Sequence, residues 1–207
     1  AGGGGGVGGG ALGWARGMDV AVVCEEGGGL GGIGYQQASH TLDASFYDLL
    51  ASEARLASFV AIARNDVPVD HWFHLGRTLT RTSGDAALVS WSGSMFEYLM
   101  PTLVMRVFPQ TLLDQTLRNA VNRQMAYGAV HGVPWGTSES AYNLRDRHAT
   151  YQYRAFGVPE LALERRIGKD LVVAPYATAL ALAVAPKRAL ANLAALETKG
   201  ALGDFGF

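Results

Sequence analysis

Leu112-Leu-Asp-Gln-Thr-Leu-Arg-Asn-Ala-Val-Asn-Arg-Gln-Met-Ala-Tyr-Gly-Ala-Val130 is the stretch whose reading decides the fold class. Leu113, Leu117, Ala120, Val121, Gln124 and Gly128 recur at the three- and four-residue spacing that gathers side chains on one face of an α-helix. Pro109 stands just before the stretch and Gly132 just after it, so the spacing predicts one long helix over about 112–130. Working outward, the same periodicity returns. Phe46, Leu49, Leu50, Leu56, Ala57 and Val60 predict a helix from about Ser45 to Ala63, entered from Thr41-Leu-Asp43 and ended by Asn65-Asp-Val-Pro68. A further helix is expected from Ser94 to about Val107. Another is expected over Asp170 to Val184, with Pro175 early in it. A last one starts at Pro186, with Ala189, Leu190, Leu193 and Leu196 inward, and ends at Gly200. Residues 144–158 read as irregular. No βαβ alternation is visible, so the expectation is a mainly α architecture of helices joined by loops rich in Trp, Tyr, Gly and Ser.

Composition fits one sizeable domain or part of a larger one. Of 207 residues, 49% are hydrophobic and only 17% charged, which suits many buried helical faces. A net charge of -1 without a basic block gives a nucleic-acid partner no electrostatic support. The single cysteine, Cys24, excludes an internal disulfide framework and a Cys-cluster zinc site. The longest apolar stretch, Leu88 to Phe108, is interrupted by Ser-Gly-Ser, Glu97, Pro101 and Arg106, so it reads as buried core rather than as a membrane span. No signal peptide is evident at the start. Residues 1–33 are glycine-laden, a composition with too little side chain to bury, and are expected to be disordered or non-native. The folded part is expected over 34–207. It ends at Gly203-Asp-Phe-Gly-Phe207 without an evident terminal element, as a truncated domain would.

Chemistry concentrates in Gly132-Val-Pro-Trp-Gly-Thr-Ser-Glu-Ser-Ala-Tyr-Asn143. Gly132, Pro134 and Gly136 make it loop-like. Trp135 and Tyr142 bring flat aromatic faces, Ser138, Ser140 and Asn143 bring hydrogen-bonding groups, and Glu139 is the one charge. A carboxylate among aromatics and small polar groups suits a sugar-processing site, and it equally suits a turn with an exposed Glu. Glu53 is the second such residue. It follows Phe46 by seven positions and Leu50 by three, which puts it on the apolar face of its expected helix, with Arg55 off that face. It is either a buried ion-pair member or an acid whose pKa is raised by burial at a cavity. Glu97, the one acid between Leu88 and Phe108, is either a structural hydrogen-bonding group or a third candidate. Asp43, Asp48 and Asp170 read as helix-terminal partners. Arg147, His148 and Arg154 either bind sugar hydroxyls or are solvated. His71 and His74 lack an acidic or Cys partner at ligand spacing, so no metal is expected. The glycines of 28–34 follow no convincing strand, and Ser90-Trp-Ser-Gly-Ser94 does not match a nucleophile elbow.

Five blocks in order carry a resemblance: Leu42-Asp-Ala-Ser-Phe-Tyr-Asp-Leu-Leu-Ala-Ser-Glu-Ala-Arg-Leu56, His71-Trp-Phe-His-Leu-Gly-Arg77, Leu88-Val-Ser-Trp-Ser-Gly-Ser-Met-Phe-Glu-Tyr-Leu-Met-Pro101, the 132–143 segment, and Asp170-Leu-Val-Val-Ala-Pro-Tyr-Ala-Thr-Ala-Leu180. Together they resemble the glucoamylase-like domain of cyclic β-1,2-glucan synthases, over about residues 34–207. The glycine-rich start departs from that pattern. The resemblance implies a partial (α/α)6 barrel, the glycoside-hydrolase toroid, whose closure needs helices after Phe207. It also implies a β-1,2-glucan substrate and cyclisation by retaining transglycosylation, with no cofactor. The parent implied is a membrane-embedded synthase whose other regions are glycosyltransferase and phosphorylase-like. This segment would be a soluble part of it at the cytoplasmic face of a bacterial inner membrane, without membrane contact of its own. Carried onto this sequence, the resemblance makes Glu139 the nucleophile and Glu53 the acid/base, with Glu97 in reserve for either role. Trp72, Trp91, Trp135, Tyr142 and Tyr176 would line sugar subsites, with Arg77, Arg147 and Asn143 as polar contacts. A stand-alone endo-β-1,2-glucanase or glucoamylase-like hydrolase and a non-catalytic carbohydrate-binding domain are the alternatives.

Overall fold

A computed structural model of the chain describes residues 13, 17, 18, 20–24, 29–82 and 85–207. The expectation of a disordered segment over 1–33 falls largely outside these residues. The chain divides into two units. One holds the described residues up to Asp48 together with Ser58–Leu75, and the other holds Leu49–Ala57 with Gly76–Phe207.

In the first unit two short antiparallel ladders are nested. Tyr35–Gln36 pairs with Thr41–Leu42 across a turn in which His40 takes a positive φ. Outside it, Gly31–Gly32 pairs with Phe46–Tyr47. A buried His71 then ties its own short helix, His71–His74, to the rest of the unit. Its Nδ1 faces the Gly29 carbonyl and so carries the proton, while Nε2 accepts from the Ser58 hydroxyl at 2.9 Å.

The second unit is built on the expected long helix, which runs over Leu112–Val130. Thr111 caps its start by accepting from the Asp114 N–H. Leu117, Ala120, Val121, Gln124 and Gly128 lie on its buried face. A hairpin, Leu79–Thr82 with Asp85–Leu88, is fastened to this helix by Leu88 N–H donating to Thr116 Oγ1 at 3.2 Å and Asn119 Nδ2 donating to the Ala86 carbonyl at 2.7 Å. Met95–Leu99 and the 3-10 turn Met100–Leu103 follow the hairpin. A second hairpin, Ser140–Arg145 with Tyr151–Arg154, comes after the long helix. The chain closes with Pro175–Leu180, a 3-10 turn at Ala181–Ala183, and Pro186–Thr198. Leu88, Met95, Tyr98, Leu99, Val121, Val158 and Leu161 form the centre of the core, and each fully buried aliphatic side chain contributes about 2 kcal/mol.

The mainly α expectation is therefore corrected: the chain is mixed, with four two-stranded antiparallel sheets among the described residues, and no (α/α)6 barrel is evident. Three segments account for the difference. The helix expected from Ser45 begins only at Arg55, because Phe46–Tyr47 pairs with glycines 31 and 32, and Leu50 N–H donates to the Gly76 carbonyl at 3.1 Å. The helix expected over 94–107 is one and a half turns long before Pro101 tightens it into a 3-10 turn. The supposedly irregular 144–158 holds most of a hairpin. Strand pairing depends on distant partners, and a helical periodicity carried by a few aromatic or β-prone residues does not exclude it.

Candidate functional site

Glu139 leaves a loop held from three sides. From the long helix, buried Gln124 treats Thr137 as a neighbouring strand would: Nε2 donates to its carbonyl at 2.8 Å and Oε1 accepts its N–H at 2.9 Å. Met95 N–H donates to the same carbonyl at 3.2 Å, from the start of the Met95–Leu99 helix. From the C-terminal helices, Asn192 brackets Trp135, accepting its N–H at 3.1 Å and donating to its carbonyl at 2.8 Å. Gly136 is needed between them. It takes φ +121°, and an added Cβ would lie 3.1 Å from Thr178 Oγ1. Ser138 is fully buried and acts as a relay. Its Oγ accepts the Phe96 N–H at 2.9 Å and donates to Tyr176 Oη at 2.9 Å, while Tyr176 donates to the Glu139 carbonyl at 2.8 Å. The backbone of Glu139 is thus fixed before its side chain is considered.

Glu97 organises the next layer. It is 2% exposed and forms a capping box with Ser94. Its Oε2 accepts from the hydroxyls of Ser90, Ser92 and Ser94 at 3.1, 2.5 and 2.8 Å, and from the N–H groups of Ser92 and Ser94 at 3.2 and 2.9 Å. This carboxylate is occupied in holding the serine-rich loop. At the other end of the same short helix, buried Arg55 donates to the carbonyls of Ser52, Glu97 and Tyr98 at 2.9, 3.1 and 2.6 Å. Burial lowers its pKa to about 10, against the opposing pull of Glu53 and Tyr98. Arg55 thereby pins the turn carrying Glu53 to the helix carrying Glu97. Tyr98, donating to the carbonyls of Leu88 and Leu161 at 2.8 and 3.1 Å, is held neutral chiefly by its burial.

Glu53 and Glu139 are each half-buried. Glu53 owes its burial to this turn rather than to the apolar face of a helix. Burial raises its pKa above the ordinary 4.5, its own N–H and the Ser52 hydroxyl (2.9 Å) oppose the rise, and repulsion from Glu97 and Glu139 adds to it. Glu139 Oε2 accepts the Tyr153 hydroxyl. The Tyr153 pKa is strongly raised, first by burial, then by that hydrogen bond and by the charge of Glu139, with smaller effects from Tyr176 and Glu53. Two carboxylates and two phenols thus form one electrostatic group. Burial biases Glu53 toward its protonated form, and Tyr153 orients the Glu139 side chain, two features that an acid-assisted displacement uses.

The other expected site residues are spread more widely. Trp72 belongs to the first unit and is half-buried on His71–His74. Arg77 is half-buried just before the Leu79–Thr82 strand. Trp91 stands in the serine-rich loop, 37% exposed. Trp135 is only 9% exposed and packs into the core. Tyr142 donates to Asp170 at 2.6 Å and meets buried Phe156 edge-on at 4.9 Å between ring centroids. Tyr176 joins the Glu139 group. Arg147 lies exposed beyond the strand ends of the second hairpin, donating to His148 Nε2 at 3.1 Å. Asn143 is on the Ser140–Arg145 strand, and its side chain lies outside the described part. Sequence reasoning missed Tyr153 and Arg55. The alternation in Tyr151-Gln-Tyr-Arg154 is a signal for a strand, but not for its register against the Glu139 loop.

The family profile described as "Putative glucoamylase" matches residues 45–207, and the chain belongs to this glucoamylase family. The resemblance carried by the five sequence blocks is borne out. Among known proteins, the cyclic beta-(1,2)-glucan synthase NdvB of Rhizobium meliloti (strain 1021) is 53% identical over 175 residues, which cover 84% of this chain and 6% of that synthase. The chain therefore matches a small part of a much longer relative. Among the described residues no helix is long and apolar enough to cross a membrane.

Proposed function

We propose that residues 34–207 are a portion of the glucoamylase-like domain of a cyclic β-1,2-glucan synthase, and that this domain cleaves and transfers β-1,2-glucosidic linkages. What supports the reading is Glu53, whose pKa is raised chiefly by burial with a small added repulsion from Glu139, together with Glu139 itself, held by Tyr153 on a rigid loop. Glu139 attacks the anomeric carbon of a bound glucan. The glycosidic C–O bond breaks, and the proton of Glu53 passes to the leaving oxygen, directly or through a substrate hydroxyl. Glu53, now a carboxylate, takes the proton of an acceptor hydroxyl, whose oxygen displaces Glu139 and restores a β-linkage. When the acceptor is the far end of the same chain, the product is a ring. Glu97 serves as the support that sets both partners in place. In the parent, glycosyltransferase and phosphorylase-like regions make and trim the linear glucan at the cytoplasmic face of the inner membrane. The glucoamylase name of the family favours a second reading, in which water is the acceptor and short linear products result.

The test is Glu139→Gln in the intact protein. Loss of cyclic product with linear elongation retained supports the assignment, and unchanged ring formation sinks it. Product analysis of the unaltered protein on linear β-1,2-glucan separates the two readings, since transfer gives rings and hydrolysis gives short chains.

A further inference from the structure

The Ser140–Arg145/Tyr151–Arg154 hairpin has two different faces. One is an anchor. Tyr142 and Arg154 both reach Asp170, at 2.6 and 3.2 Å, and Tyr142 packs edge-on against buried Phe156. The other face carries Tyr153 and Tyr151, two residues apart on one strand and so on the same side. They are 65% and 62% exposed, and stand next to each other on that face. Neither ring is loosely held. The Tyr153 hydroxyl is bonded to Glu139. The Tyr151 hydroxyl accepts from Arg145 at 2.8 Å, and the Arg145 guanidinium lies over the Tyr151 ring, 4.7 Å from its centroid. Arg145 and Tyr151 are directly paired across the strands. The two rings therefore form a line that begins at Glu139 and runs outward along the hairpin. The rise of a strand separates them by roughly 7 Å, so each ring can meet a separate sugar residue.

We propose that this face is a glucan-binding subsite, on which Tyr151 and Tyr153 stack against successive glucose residues of a chain whose reacting linkage lies at Glu139. The inference rests on the functional reading above and adds to it the surface that guides the chain. Prefixed rings suit this role, because stacking on an aromatic whose hydroxyl is already tied requires little further ordering. A sugar chain is favoured over a protein partner because the line is continuous with the carboxylate group and its polar end is a cation able to donate to sugar hydroxyls.

The experiment uses the intact protein carrying Glu139→Gln, in phosphate-free buffer without a sugar-nucleotide donor so that linear β-1,2-glucan binds without turnover, and reads its Kd by calorimetry. Adding Tyr151→Ala is expected to weaken binding about tenfold, and Tyr151→Trp to restore it. Glucan binding unchanged by Tyr151→Ala overturns the subsite while leaving the functional reading intact. So does a Tyr151→Ala defect confined to assembly with another protein. Absence of glucan binding by the Glu139→Gln protein itself overturns both.

Discussion

Replacing Glu97 by Ala separates its supporting role from a catalytic one. The substitution removes the acceptor shared by three serine hydroxyls and by the N–H groups of Ser92 and Ser94. The hydroxyls can rotate toward other acceptors, but the two buried N–H groups cannot. Each unsatisfied donor costs about 1–3 kcal/mol, and the two together, the Ser94 N–H being the capping-box bond itself, come to about 4 kcal/mol. Glu97→Gln keeps one acceptor oxygen but turns an NH2 toward the remaining donors, at about 1–2 kcal/mol. The assay is hydrogen exchange, read by mass spectrometry on peptides covering residues 88–99 of the intact protein. At about 1.4 kcal/mol per factor of ten, Glu97→Ala is expected to speed exchange by two to three orders of magnitude, and Glu97→Gln by about one. Exchange within about twofold of the unaltered protein for both variants, alongside lost activity, would refute the reasoning and return Glu97 to the catalytic candidates.

Glu53 makes stability depend on pH. The unfolded chain ionises this carboxyl near 4.5 and the folded chain only at a higher pH, so its contribution is fully present below 4.5 and is lost as pH rises through the raised value. Glu53→Gln is expected to remove that loss, and urea midpoints of the two proteins should diverge as pH rises from 4.5 toward neutrality. The same raised pKa sets the alkaline limb of kcat/KM. Tyr153→Phe keeps the ring but deletes the hydrogen bond to Glu139. About 1.5–3 kcal/mol lost at a charged acceptor predicts a kcat reduced about 10- to 100-fold, with glucan Kd within about twofold. At Gly157 an added Cβ would run into the Ser92 carbonyl, so Gly157→Ala is expected to destabilise by about 1–3 kcal/mol and to lower the melting temperature.

Local periodicity was enough to locate the long helix, whose bounds and buried face match expectation, because its signal lies within one segment. Pairings between segments were not legible. Phe46 and Tyr47 fit a helical pattern, yet they are strand residues because glycines 31 and 32 lie beside them. The carboxylates could be singled out from their misplaced polarity. Their roles could not be ranked, since the serines that surround Glu97 and the phenol that meets Glu139 are brought there by the fold. Trp135 stands in the sugar-site motif, yet it is 9% exposed and packs into the core, a burial that its neighbours in sequence do not reveal. Tyr153 was hidden because its partner lies fourteen positions away, across a bulged hairpin.

The central claim is that Glu139 forms the covalent bond to the sugar while Glu53 moves the proton. Peptide mapping by mass spectrometry of the intact protein, quenched during turnover of linear β-1,2-glucan, tests it most directly. The account predicts a glycosyl ester on the peptide containing Glu139, its appearance slowed when Glu53→Gln removes the proton that the leaving oxygen takes. A glycosyl adduct on Glu53 or Glu97, with Glu139 unmodified, would contradict it.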